Sequence, residues 1–444
     1  MIEDNLITRI CVRIFAWIYS FAIPIVSFIY YIYYVTQRKS LLVEWLLGTF
    51  STELLNSSFS SFLHYWLGFE LIFLLYFQVT KSRFQSHLPP VVPSKQVRHE
   101  LLNFFFCTID KFENWLEGWF NVGHKRSTFN QIYRDNFAEW ISWSFFSTSL
   151  ENIRNNPEYL KEIYEMIESI EKRRNVKFRQ GYNPNCECIK LTLDSVEAIP
   201  RPFVFYATIF LLSSTFNILL KFYGFEHFGS KESILNGYWS STLEFDIQEG
   251  CPPSRISYWY YDPHSSCDSF PLKKKKERQK PIVFIHGVGG GLFCYFKFIK
   301  RLWKLDRPLF LVELPYVSMQ MVEDVPTMEE TVREIEEMLI SRNYPKAIFV
   351  AHSLGTAVCA WMVKEARKRI GFSELPMSLP HNTYIYIAEK DNIVPSKEVY
   401  KYLSKNNVNV HMMHKLDHAS FLFNTHWEDR IISGVLKCCN SRRS

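Results

Sequence analysis

From about Leu243 onward the chain alternates short apolar runs with helical ones, and this alternation most narrows what it can fold into. Strand-like runs fall at Ile256–Tyr261, Pro281–Ile285, Pro308–Leu314, Ala347–Val350, Thr383–Ala388 and Val408–Met413. Helical runs fall between or after them at Leu292–Leu305, Thr327–Ser341, Leu354–Arg369, Ser396–Ser404 and Ala419–Leu436. The clearest helix opens on Thr327 and Glu330, a capping pair, and lines Met328, Val332, Ile335 and Leu339 along one face. Strands that alternate with helices build a mostly parallel sheet covered on both faces. In such sheets the working side chains gather at the carboxyl ends of the strands.

One serine stands at such an end. In "IFVAHSLGTAV" Ser353 directly follows a strand and directly precedes a helix. A turn this tight strains the serine and exposes its hydroxyl, and it demands small residues two positions before and after. Ala351 and Gly355 meet that demand, making the stretch a variant of the G-x-S-x-G elbow. A serine nucleophile needs a base, and the base needs an orienting acid. Asp391 lies just past the strand at 383–388 and His418 just past the strand at 408–413, in the order serine, acid, histidine. His418 is thus the expected base and Asp391 its partner. The expected oxyanion donors are the backbone N–H of Leu354 and an N–H from the glycine-rich "HGVGGG", with Val288 first and Gly289 next. Asp417 is a rival acid, and Asp306 and Asp324 suit loops better. A metal set from His411, His414 and His418 lacks a supporting carboxylate motif, and no cofactor is implied. His352 fills the variable elbow position, where simple packing is the expected role.

The amino-terminal half has another character. Of the 444 residues, 17% are aromatic, with phenylalanine and tyrosine concentrated in the first half, as suits membrane contact. Ile10–Val35 is almost wholly apolar, with Arg13 its only charge, and long enough to span a bilayer as a retained anchor. Phe59–Val79 is a second candidate span, although Glu70 and His64 inside it are costly in hydrocarbon; a buried or interfacial helix is the other reading. Pro202–Leu220 is a third apolar run, able to cross the membrane or to lie in its interface. Pro157–Asn175 reads as one amphipathic helix with Tyr159, Ile163, Met166, Ile167 and Ile170 on its apolar face. The expected organisation is membrane-anchoring helices over 1–90, a helical region with the third apolar segment over 91–240, and the strand–helix part over 241–444. The net charge of +6 is too modest, and basic stripes too few, for a nucleic-acid binder. "KKKKERQK" at 273–280 reads as a solvated loop able to touch anionic headgroups. The cysteines, including Cys186-x-Cys188, lack framework or zinc spacing and suit a reducing compartment; Cys438–Cys439 beside basic residues leave an acylated tail open.

The motifs together resemble the α/β-hydrolase fold, and more narrowly a group of poorly characterised fungal membrane-associated α/β hydrolases. The resemblance runs from about Leu101 to His418 through "ENWLEGWFNVG", "IYRDNFAEWISWSFF", "ISYWYYDPHSS", "PIVFIHGVGGGLFCYFKFI", "FVAHSLGT", "IAEKDNIV" and "LDHASFLF". It implies an integral membrane serine hydrolase with Ser353, Asp391 and His418 as its triad. One departure stands out. Only thirty-seven residues separate Ser353 from Asp391, where relatives fit a further core strand and a cap. The expectation is a sheet lacking one strand and its lid. The expected activity is hydrolysis of an ester, with a lipid acyl ester suggested by the membrane location, on an intracellular membrane. Transfer of the acyl group to an alcohol, or a non-catalytic scaffold derived from a hydrolase, are the alternatives.

Overall fold

The computed structural model describes residues 14, 20–33, 36, 58–85, 91–109, 111–123, 125–196, 198–229, 256–264, 279–322, 325–369, 379–380, 382–406 and 408–440. Most of the basic run at 273–280, Asp324, and most of the bridge at 370–382 lie outside these residues, as do the ends of the first apolar run. The chain divides into two units, residues 1–202 and 203–444.

The first unit opens with two apolar helices, α1 (Ser20–Tyr33) and α2 (Ser58–Gln85). At 1.5 Å per residue α2 is about 42 Å long, more than a bilayer's hydrocarbon core. Its polar groups are paired within the unit. Trp66 donates to the buried Glu70 carboxylate at 3.1 Å, and the Tyr31 hydroxyl donates to the His64 carbonyl at 2.8 Å. Next come α3 (Lys95–Thr108), α4 (Phe112–Glu117), the short strands β1 (Phe120–Val122) and β2 (Lys125–Arg126), then α5 (Arg134–Phe146), α6 (Leu150–Arg154), α7 (Pro157–Arg174) and β3 (Cys186–Cys188). The anticipated amphipathic helix is α7. Asn156 caps its start, Asn175 ends it at φ +52°, and Ile163, Met166, Ile167 and Ile170 are buried. These meet an aromatic core that includes Phe112, Phe137, Trp140 and Phe178. Cys186 and Cys188 are buried free thiols in that core.

The second unit begins with α8 (Phe203–Phe222), the third apolar run. Sequence alone grouped it with the helical region. Here Phe216 and Leu220 belong to the core of the second unit, while Leu211, Leu212, Ile218 and Phe222 face outward. The strands that follow are β4 (Glu226–Phe228), β5 (Ser257–Tyr261), β6 (Ile282–Ile285), β7 (Leu309–Glu313), β8 (Ile348–Ala351), β9 (Tyr384–Ala388) and β10 (Asn409–Met413). The helices between and after them are α9 (Phe296–Trp303), α10 (Met328–Ser341), α11 (Gly355–Arg369), α12 (Ser396–Lys405) and α13 (Thr425–Asn440). The Thr327–Glu330 capping box is formed in both directions.

Five strands pair in the order β4-β5-β7-β6-β8. β6 runs parallel to β7 and β8, but β5 is antiparallel to β7 and β4. The sheet is therefore mixed rather than mostly parallel, because β5 runs opposite to both of its neighbours. β9 and β10 form a separate parallel pair. Among the described residues no ladder joins β8 to β9, which is where the short interval called for a missing strand. The burial pattern agrees. β6 and β7 are buried throughout, whereas β8 is buried only at Ile348.

Among the described residues two interactions join the five-stranded sheet side to the β9–β10 pair. Ala388, Met413, Leu416 and Phe421 share one apolar core with Phe298, Leu302, Leu311 and Ile348. Glu428 of α13, fully buried, pairs with Arg301 at 3.0 Å and Lys297 at 3.1 Å on α9.

Candidate active site

The strand register sets the site. Ile285 at the end of β6 lies opposite Ala351 at the end of β8, so His286-Gly287 and His352-Ser353 leave the sheet side by side. The His352 N–H extends the ladder one step, donating to the Ile285 carbonyl at 3.2 Å. Ser353 then turns back at φ +53°, the left-handed region that costs a side-chain-bearing residue roughly 1–3 kcal/mol. The turn is tight enough to require Gly355, because a Cβ there would lie 2.5 Å from the Ile285 carbonyl oxygen and 2.8 Å from that of His286. Helix α11 starts at this point with its amino end toward the turn.

The two partners arrive from the separate strand pair. Asp391 follows β9, and its Oδ1 accepts the N–H groups of Ile393 at 2.8 Å and Val394 at 3.0 Å. Its Oδ2 lies 2.6 Å from His418 Nδ1. His418 Nε2 lies 2.8 Å from Ser353 Oγ. The three residues read from the sequence thus meet in one hydrogen-bonded line across the break in the sheet. Burial pushes the Asp391 pKa up, but the hydrogen bond from His418 and the two backbone N–H groups outweigh it, and the carboxyl ends below its ordinary value. A carboxylate in this state holds the imidazole with Nε2 free to accept a proton from the serine.

The rivals are engaged elsewhere. Asp417 Oδ1 accepts the Ser420 N–H at 3.1 Å, a local cap. His411 stacks on Tyr386, and His414 faces Glu389 at 3.4 Å, so the three histidines of this stretch turn to three different partners. Asp306 occupies a turn after α9 at φ +54°.

The expected oxyanion donors divide. Among the described residues neither the Leu354 N–H nor the Val288 N–H meets an acceptor, and both residues are exposed. Gly289 does not qualify. Its N–H donates to the Val317 carbonyl at 3.0 Å, which ties the glycine loop to the segment after β7. His286 secures the base of the same loop. Its Nε2 accepts the Leu314 N–H at 3.0 Å and its Nδ1 faces the Gly287 carbonyl at 2.8 Å, while burial pushes its pKa down. Sequence reasoning missed His352, whose two ring nitrogens are both bonded; its contacts come from residues fifty-seven and sixty-six positions away.

No protein-family model matches the chain, and no curated protein matches it. Several solved structures to which it is similar are described as hydrolases or esterases. One is a predicted CIB-like hydrolase from Thermoplasma acidophilum, with 11% identity, a TM-score of 0.29, and coverage of 42% of this chain and 94% of the other. Another comes from work on carboxylesterases of the thaumarchaeon Nitrososphaera gargenis, at 14% identity and TM-score 0.30, covering 43% and 97%. A third is an alpha/beta hydrolase from a sediment metagenome of the Mar Chica lagoon, at 16% identity and TM-score 0.30, covering 42% and 97%. Likeness at this level carries no functional weight, and the chemistry rests on the site's own geometry.

Proposed function

We propose that the chain is a membrane-anchored serine hydrolase of the α/β-hydrolase kind that cleaves a carboxylic ester through an acyl-enzyme on Ser353. The observation that carries this is the continuous line from Asp391 through His418 to a serine held at φ +53°. Ser353 Oγ attacks the ester carbonyl while His418 Nε2 takes its proton. The N–H groups of Leu354 and Val288 receive the oxyanion. His418 returns the proton to the departing alcohol, then activates the water that releases the acid. No cofactor or metal enters these steps.

A lipid acyl ester is the favoured substrate class. Val288, Leu354, Ile393 and Phe423, exposed apolar residues, stand on the loops that carry the site. Among the described residues two helices are long and apolar enough to cross a membrane, and the motifs resemble those of fungal membrane hydrolases. Acyl transfer to an alcohol uses the same acyl-enzyme. The break between β8 and β9 supports a second reading, a non-catalytic scaffold derived from such an enzyme.

A fluorophosphonate probe separates the two. Labelling of the full-length protein that disappears in Ser353→Ala supports the hydrolase. A folded wild-type protein that resists the probe supports the scaffold.

A further inference from the structure

His352 lies between strand β8 and Ser353, and other elements engage both of its ring nitrogens. Nε2 is 3.0 Å from the backbone carbonyl oxygen of His418, and Nδ1 is 2.8 Å from the Tyr295 hydroxyl. A carbonyl oxygen can only accept, so Nε2 carries the proton and Nδ1 is the acceptor. Tyr295 therefore donates its O–H to Nδ1. Its oxygen in turn accepts the Gly287 N–H at 3.2 Å. One arrangement of protons satisfies the whole chain, from Gly287 through Tyr295 and His352 to the His418 carbonyl. It requires a neutral His352 ring, the form that burial favours by pushing its pKa down. The ring also packs between neighbours, with centroids 5.1 Å from His418 and 5.0 Å from Phe421.

The place of this chain in the fold gives it a task. Ser353 belongs to the five-stranded sheet, and His418 to a loop of the β9–β10 pair, with no strand ladder between them among the described residues. Backbone hydrogen bonds cannot hold the two in register there. Resting on the serine-hydrolase reading above, we propose that His352, backed by Tyr295, is a positioning residue that holds the His418 loop against Ser353 across the break in the sheet. Its task is to set where His418 sits, through the His418 carbonyl and ring.

The test uses the full-length protein in lipid vesicles and the rate of fluorophosphonate labelling at Ser353. His352→Phe keeps a ring in place and removes both bonds, and labelling should fall roughly 100-fold, the order of effect of a 1 Å misplacement. His352→Gln, which offers a donor and an acceptor, should recover most of the rate, and Tyr295→Phe should lose less than His352→Phe. In a His418→Ala background, His352→Phe should cause no further loss. Wild-type labelling with unchanged labelling of His352→Phe overturns the brace, as does an equal further loss in the His418→Ala background. A second readout stands apart from activity. Modification of His418 by diethylpyrocarbonate, read by mass spectrometry, should quicken severalfold in His352→Phe. If wild type resists the fluorophosphonate, the hydrolase reading fails by itself, and an unchanged diethylpyrocarbonate rate overturns the brace.

Discussion

Gly287 shows how little room the site leaves. It does not need an unusual backbone angle; it needs the absence of a side chain. A Cβ at this position would lie 2.6 Å from Ser353 Cβ and 2.9 Å from the His352 carbonyl oxygen. Both neighbours are pinned, one in the elbow and the other by the Tyr295–His418 bonds. Gly287→Ala should therefore cost about 1–3 kcal/mol as overpacking, and should slow fluorophosphonate labelling far more than that loss of stability explains. Denaturant melts and labelling rates on the same preparation check this; normal labelling would show that the elbow has slack. At this scale the serine, acid and histidine were legible, because each lies just past a strand end and chain order ranks them. That the Gly289 N–H is already taken was not legible, since the Val317 carbonyl that occupies it arrives from twenty-eight residues away. His352 looked like packing for the same reason: its partners are distant in sequence.

Among the elements, the antiparallel side of the sheet depends on one buried carboxylate. Glu313, the last residue of β7, accepts from Ser257 Oγ at 2.6 Å and Trp259 Nε1 at 3.1 Å on β5, and from His227 Nε2 at 2.9 Å on β4. Burial pushes its pKa up, but its attraction to His227 and the three hydrogen bonds outweigh burial and bring it to about 2. A pKa depressed on folding means stability that is present above the ordinary value of 4.5 and lost as pH falls toward about 2. Glu313→Gln should cost about 3–5 kcal/mol at neutral pH, the usual loss on breaking a buried pair, and should flatten the fall of Tm between those two pH values. An unchanged acid slope in the variant would assign the loss to other carboxylates. Strand positions were legible to within a residue or two, because β5 to β10 are apolar runs bounded by turns. β4 was not: "EHF" has three residues and no apolar period, and it becomes a strand only by pairing with β5 around Glu313. The mixed character of the sheet comes from β5, which runs antiparallel to β7 as well as to β4.

For the whole molecule, the question is which apolar surface must find lipid. Hydropathy admits both α2 and α8 and puts α8 higher, but a run of apolar residues reads the same whether lipid or protein covers it. Both are left mostly uncovered, so what distinguishes them is what their inner faces touch. α8 gives Ser213, Phe216 and Leu220 to the second unit and keeps one outward apolar face. α2 likewise exposes large apolar residues such as Phe62, Tyr65, Phe69, Ile72, Leu75 and Val79 along one face and buries Leu67, Glu70 and Phe73 on the other. Its polar groups are bonded within its own unit, which lowers their cost in hydrocarbon. That pairing favours α2, so the anchor is expected in residues 1–90, with α8 held to the second unit through Phe216 and Leu220 and adding interfacial contact. Full-length protein should stay in the membrane pellet after alkaline carbonate, and a chain lacking residues 1–90 should move to the supernatant under the same wash. Release of the full-length chain would remove the membrane anchor from the proposed function. Retention of the shortened chain would transfer the spanning role to α8, which would then have to give up its packing against Phe296.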